Sequence, residues 1–159
     1  MKDLVKYKQI LKELEGKSLR EKNLRVAGII TDYVKRKHGI TLIVVGGLSV
    51  EFYTDGGYAT QDIDFVGAGH EKIMNCLVDL GFTQKGKDSI LPELEVYVEV
   101  PSSTLKHGDE ELVNSYQTVD GFTVNFIGIE DIFWDRLRAR IHNKERNQME
   151  WLAELYMKN

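Results

Sequence analysis

The chain has 159 residues, 42% hydrophobic and 29% charged, which is the size and balance of one domain able to bury a substantial core. No apolar run approaches the roughly 20 residues of a membrane span, and the N-terminal segment is too charged to hold a signal-peptide apolar region, so a cytoplasmic location is the expectation. The net charge of −4 argues against a broad nucleic-acid footprint, and Cys76, the lone cysteine, excludes a disulfide framework and a cysteine metal centre.

Two prolines, no low-complexity tract and no internal repeat leave no linker to divide the chain. One domain over 1–159 is expected: an N-terminal helical pair at 1–39, a sheet core at 40–128 and C-terminal helices at 129–159.

Asp3 to Leu14 sets Leu4, Tyr7, Ile10, Leu11 and Leu14 at helical spacing, with Gly16 as the stop. Ser18 caps a second helix, with Glu21 completing a capping box. Leu24, Val26, Ile29, Ile30 and Val34 form its apolar stripe, and it stops near Gly39. The basic run Lys35 to His38 complements the helix dipole at its C-terminal end; a polyanion contact is the alternative. Ile43-Val44-Val45 is β-branched and bounded by glycine, as expected of a buried strand. Gly46-Gly47 permits a sharp turn and close approach of backbone to a ligand. A short helix over Leu48 to Phe52 would place its N-terminal N–H groups at that turn, where an anion is favoured. Ser49 either adds a hydroxyl to such a site or is an ordinary residue of the first helical turn. Asp55-Gly56-Gly57 reads as a plain turn.

Thr60 to Val66 reads as the next strand. Alternation puts Asp62 and Asp64 on one face, with Ile63 and Phe65 on the other. Two neighbouring carboxylates repel, and a divalent cation would remove the conflict; oxygen ligands at this spacing suit Mg²⁺. His70 to Leu80 is a helix with Ile73, Met74, Leu77, Val78 and Leu80 apolar, and Cys76 within it is structural. A weak strand follows Gly81-Phe82, and Lys85 to Asp88 forms a hairpin turn. Leu94 to Val100 alternates, with Glu95, Tyr97 and Glu99 on the polar face. The segment from Ser102 to Asn114 is polar. Tyr116 to Phe126 is a hairpin centred on Asp120-Gly121. Glu130 and Asp131 open a helix carrying Arg136 and Arg140 on one face. These arginines either neutralise phosphate or pair with Asp135 and Glu145 in solvent. Glu145 to Met157 is the last helix.

The strand, the Gly46-Gly47 turn and the Asp62-x-Asp64 pair on the next strand together resemble the nucleotidyltransferase superfamily that includes DNA polymerase β. They look most like its small stand-alone prokaryotic members, some of them in toxin–antitoxin systems. The resemblance covers about 40–140. It implies an α/β (α+β) fold with a mixed, largely antiparallel sheet of four to six strands and helices mainly on one face. It also implies a third carboxylate on a later strand, for which Glu99 fits better than Glu95 because it stands late in its strand.

The resemblance further implies Asp62, Asp64 and Glu99 as catalytic and metal-binding residues holding two Mg²⁺ ions, or Mn²⁺ in their place. Gly46, Gly47, Ser49, Arg136 and Arg140 would bind the phosphates of an NTP such as ATP. The acceptor of the nucleoside monophosphate would be a hydroxyl or phosphate on a small molecule, a tRNA end or a protein. One position departs from the family pattern. Gln61 stands where relatives often carry a basic or small polar residue, so another cation substitutes or activity is weak. The competing function is a non-catalytic interaction protein of the antitoxin or regulator type, with a protein partner. An Asp-x-Asp glycosyltransferase is a third, disfavoured because its nucleotide-sugar fold is normally larger than this chain.

Overall fold

The computed structural model of the protein describes residues 2–54, 60–102 and 113–128. Two helices come first, α1 (Lys2–Glu13) and α2 (Leu19–His38). The Ser18 hydroxyl caps α2 by accepting from the Glu21 N–H at 3.2 Å. Gly39 closes it in the left-handed conformation, φ 69°, its N–H donating to the Lys35 carbonyl at 2.8 Å. Both ends therefore stop where their capping chemistry predicts.

The remaining elements are β1 (Ile43–Val45), α3 (Gly46–Tyr53), β2 (Asp62–Val66), α4 (His70–Asp79), β3 (Thr83–Lys85), β4 (Asp88–Leu91), β5 (Val96–Ser102), β6 (Asn114–Gln117) and β7 (Thr123–Phe126). The strands form one sheet in the order β3-β4-β5-β2-β1-β7-β6. β1–β2, β3–β4, β4–β5 and β6–β7 are antiparallel, whereas β2–β5 and β1–β7 are parallel. The sheet is thus mixed and largely antiparallel, as expected, but among the described residues it has seven strands rather than four to six. The extra strands are short, and the edge strands β3 and β6 are exposed along their whole length. Both were expected, β3 as the weak strand after Gly81-Phe82 and β6 as the first arm of the hairpin, and with neither side buried they lack the apolar alternation of the inner strands.

Helices α1, α2 and α4 cover one face. Tyr7 and Leu11 of α1, Val26, Ile29 and Ile30 of α2, and Ile73 and Leu77 of α4 share one core with Val44, Ile63, Phe65, Val98 and Val124 of the sheet. Val78, expected among the apolar contacts of α4, is instead 60% exposed; the buried residues of the helix are Ile73, Leu77 and Cys76. Burial raises the pKa of that thiol, in keeping with a structural role. A smaller apolar group gathers Ile43 of β1 and Val66 of β2 with Val50 and Ile127.

Arg25 and Gly28 of α2 help to lock the helical layer to the β6–β7 hairpin. The Arg25 guanidinium donates to both oxygens of Asp120, at 2.9 and 2.8 Å, with both side chains nearly buried. Gly28 lets α2 approach the hairpin closely: a Cβ there would lie 2.9 Å from Cγ2 of Thr118. The basic run at the end of α2 is largely engaged within the protein. Lys35 donates to the Thr41 hydroxyl, Arg36 pairs with Asp32, and Lys37 pairs with Asp79. These bonds favour the structural alternative over a polyanion contact. The 129–159 segment, with Arg136, Arg140 and the last helix, lies outside the described residues, as do 55–59 and 103–112.

Candidate active site

Alternation along β2 turns Ile63 and Phe65 into the core and leaves Asp62 and Asp64 half-buried on the other face. The parallel neighbour β5 runs in register with it, Asp62 opposite Tyr97 and Asp64 opposite Glu99. Glu99 therefore stands beside Asp64 on the same face. One carboxylate oxygen from each of Asp62, Asp64 and Glu99 lies within 4.8 Å of the other two. Three acids on three registered positions, none fully solvated, constitute the candidate centre.

Glu95 is excluded from it by backbone geometry. It precedes β5 in a turn, with its N–H donating to the Pro92 carbonyl, and adopts φ 57°. Alternation along β5 begins only at Val96, so Glu95 is exposed in a turn and does not share the strand face with Glu99.

On the other flank of Asp64 lies the glycine turn. Gly46 opens α3 with φ 66°, and a Cβ on it would stand 2.2 Å from Oδ2 of Asp64. The first glycine of the pair is thus required twice, for the left-handed backbone and for the space the carboxylate occupies. Gly47 follows as a buried residue of α3. Among the described residues, the side chain of the N-cap residue Val45 does not cap α3. Ser49 is fully buried and donates its hydroxyl to the Gly46 carbonyl at 2.6 Å. That bond braces the turn from inside.

Burial raises the pKa of Asp62, the nearby Asp88 carboxylate raises it further, and the Lys87 ammonium opposes both. Lys87 and Asp88 belong to the β3–β4 hairpin, which the sequence identifies only as a turn. Asp88 pairs across the sheet with Glu99, and Lys87 Nζ lies 3.7 Å from Glu99 Oε1. Nothing local signals these neighbours, because their place depends on the β4–β5 register. Tyr97, 40% exposed, completes the rim on the Asp62 side.

The residues fit a divalent cation of the hard, oxygen-seeking kind. The donor set is all carboxylate, the oxygens converge, and Gly46 keeps open the space into which Asp64 projects. Asp62, Asp64 and Glu99 would hold it.

The mixed seven-strand sheet with its helical layer matches a nucleotidyltransferase-like fold in solved structures. A crystal structure of an antigenic nucleotidyltransferase-like protein from Paracoccidioides brasiliensis superposes with a TM-score of 0.62 at 15% identity, over 89% of this chain and 76% of that one. The solution structure of the antibiotic-resistance factor ANT(2'')-Ia gives 0.56 at 11% identity, over 82% of this chain and 80% of that one. No family model matches the sequence, and none of the curated proteins matches it. The resemblance read from Gly46-Gly47 and Asp62-x-Asp64 therefore holds at the level of fold.

Proposed function

We propose that this protein is a metal-dependent nucleotidyltransferase that moves a nucleoside monophosphate from an NTP to a hydroxyl or phosphate acceptor. The observation that carries the reading is the convergence of Asp62, Asp64 and Glu99 within 4.8 Å beside a turn that only glycine fits. In the transfer, the acceptor oxygen bonds to the α-phosphorus, the bond to the bridging oxygen breaks, and pyrophosphate leaves with the electron pair. The acceptor proton passes to solvent. Bound Mg²⁺ or Mn²⁺ would supply charge neutralisation for the phosphates and activation of the attacking hydroxyl.

The chain's own residues position the reactants. Gly46-Gly47 and the N-terminus of α3 face phosphate with backbone N–H groups and the positive end of the helix dipole. Ser49 holds that turn in shape. The three carboxylates, fixed by strand register rather than by mobile loops, keep their spacing without rearrangement, which favours catalysis by positioning. Arg136 and Arg140 are proposed to add phosphate contacts, and the acceptor is a small molecule, an RNA end or a protein. Kinship with toxin–antitoxin nucleotidyltransferases, and a protein partner, are part of the same proposal.

Calorimetric titration of MgATP, MgGTP, MgCTP and MgUTP into wild type and the Asp62→Asn, Asp64→Asn double variant tests the reading. Binding that requires Mg²⁺ and is lost in the variant is the expected result. Turnover of radiolabelled NTP with divalent metal would then follow incorporation into candidate acceptors. No binding by wild type at millimolar nucleotide overturns the enzyme reading in favour of a non-catalytic interaction protein.

A further inference from the structure

The inference rests on the three-carboxylate reading and concerns the cation that Gln61 does not supply. Gln61 is exposed and brings no positive charge to the start of β2. Among the described residues, Lys87 is the cation within ion-pair distance of the triad, 3.7 Å from Glu99. Its place follows from the fold. Gly86, at φ 62°, turns β3 into β4; Lys85 then pairs with Asp88, and Asp88 with Glu99. The order β4-β5-β2-β1 puts Lys87 and the Gly46 turn on opposite flanks of the Asp64–Glu99 pair. Lys87 is therefore separate from the phosphate-facing turn and addresses the carboxylate farthest from it in strand order.

We propose that Lys87 is the resident counter-ion of Glu99, neutralising the glutamate until a divalent ion takes it. The geometry suits exchange. At 3.7 Å the pair is longer than a charge-assisted hydrogen bond, and the lysine side chain is 78% exposed against 21% for the glutamate. A cation so placed must give up Glu99 when a metal binds, so it weakens metal loading relative to the carboxylates alone. Lys87 acts only through Glu99, as a competing cation, and is itself neither a metal ligand nor a catalytic residue. Exposed pairs of this kind are weak, so its removal should tighten metal binding by up to about fivefold.

The test is titration of the full chain with Mn²⁺ alone, reading the free ion by electron paramagnetic resonance. Wild type is compared with Lys87→Ala, Lys87→Arg and Lys85→Ala. Lys85→Ala removes the same unit of charge from the same hairpin at an exposed position that forms no ion pair among the described residues. Tighter binding in Lys87→Ala, with Lys87→Arg and Lys85→Ala close to wild type, supports the assignment. Equal or weaker binding in Lys87→Ala overturns it, as does equal tightening in Lys85→Ala, which would reflect net charge only. Absence of Mn²⁺ binding by wild type overturns the metal reading itself, and this inference with it. Circular dichroism on each variant establishes that the fold is kept.

Discussion

Replacing Gly46 by alanine probes the centre through a single methyl group. The new Cβ would stand 2.2 Å from Oδ2, 3.1 Å from Cγ and 3.3 Å from Cβ of Asp64. Swinging the carboxylate oxygen alone does not relieve the contact, because the side-chain stem is also crowded. Ordinary van der Waals contact begins at 3.4 Å, so the oxygen must retreat by more than an ångström. Metal–ligand distances tolerate only about 0.2 Å. The backbone adds its own cost, since φ 66° is a left-handed value that costs an L-residue about 1 kcal/mol. The expected outcome is a folded protein, about 1–2 kcal/mol less stable to urea, that has lost Mn²⁺ and MgNTP binding as thoroughly as Asp64→Asn. Urea unfolding and metal titration on the same preparation separate the two effects. A Gly46→Ala protein that binds metal like wild type would refute the claim that Asp64 works from the position seen here.

Three further outcomes are expected. Arg25→Ala leaves Asp120 without its two charge-assisted bonds at a nearly buried site and should cost about 2–3 kcal/mol in urea unfolding, with metal binding unchanged. Ser49→Ala removes the 2.6 Å bond to the Gly46 carbonyl. It should cost about 1 kcal/mol and weaken nucleotide binding only modestly; complete loss of binding at unchanged stability would show that the hydroxyl itself is a ligand. Asp79 is held below the ordinary carboxylate pKa by the hydrogen bonds it accepts from Lys37 and Tyr33. Because its folded pKa is depressed, its contribution is present above the unfolded value of about 3.9 and is lost as pH falls through the folded one. Urea midpoints measured from pH 6 down to pH 2 should therefore fall less steeply for Asp79→Asn than for wild type, and identical slopes would contradict the assignment.

Much of this protein is legible from short stretches of chain, because the signals involved are local. Ser18 and Gly39 mark α2 through the hydrogen bonds that a helix end needs. The β-branched run before Gly46-Gly47 marks a strand and a tight turn. Alternation with a period of two puts Asp62 and Asp64 on one face whatever β2 pairs with. What the local pattern leaves open is register. Glu95 and Glu99 share a parity, so alternation alone cannot choose between them. The choice comes from the parallel pairing of β5 with β2, which sets Glu99 beside Asp64, and from a turn that holds Glu95 at φ 57° before the strand begins. Ser49 has the right residue type to meet a phosphate, yet packing buries it and gives its hydroxyl to Gly46. Lys87 carries no signal as part of Lys85-Gly86-Lys87-Asp88; the antiparallel pairing of β4 with β5 brings it to Glu99. Spacing within a strand is settled by neighbouring residues, whereas contact between strands is settled by the burial of the whole sheet face, which no short segment contains.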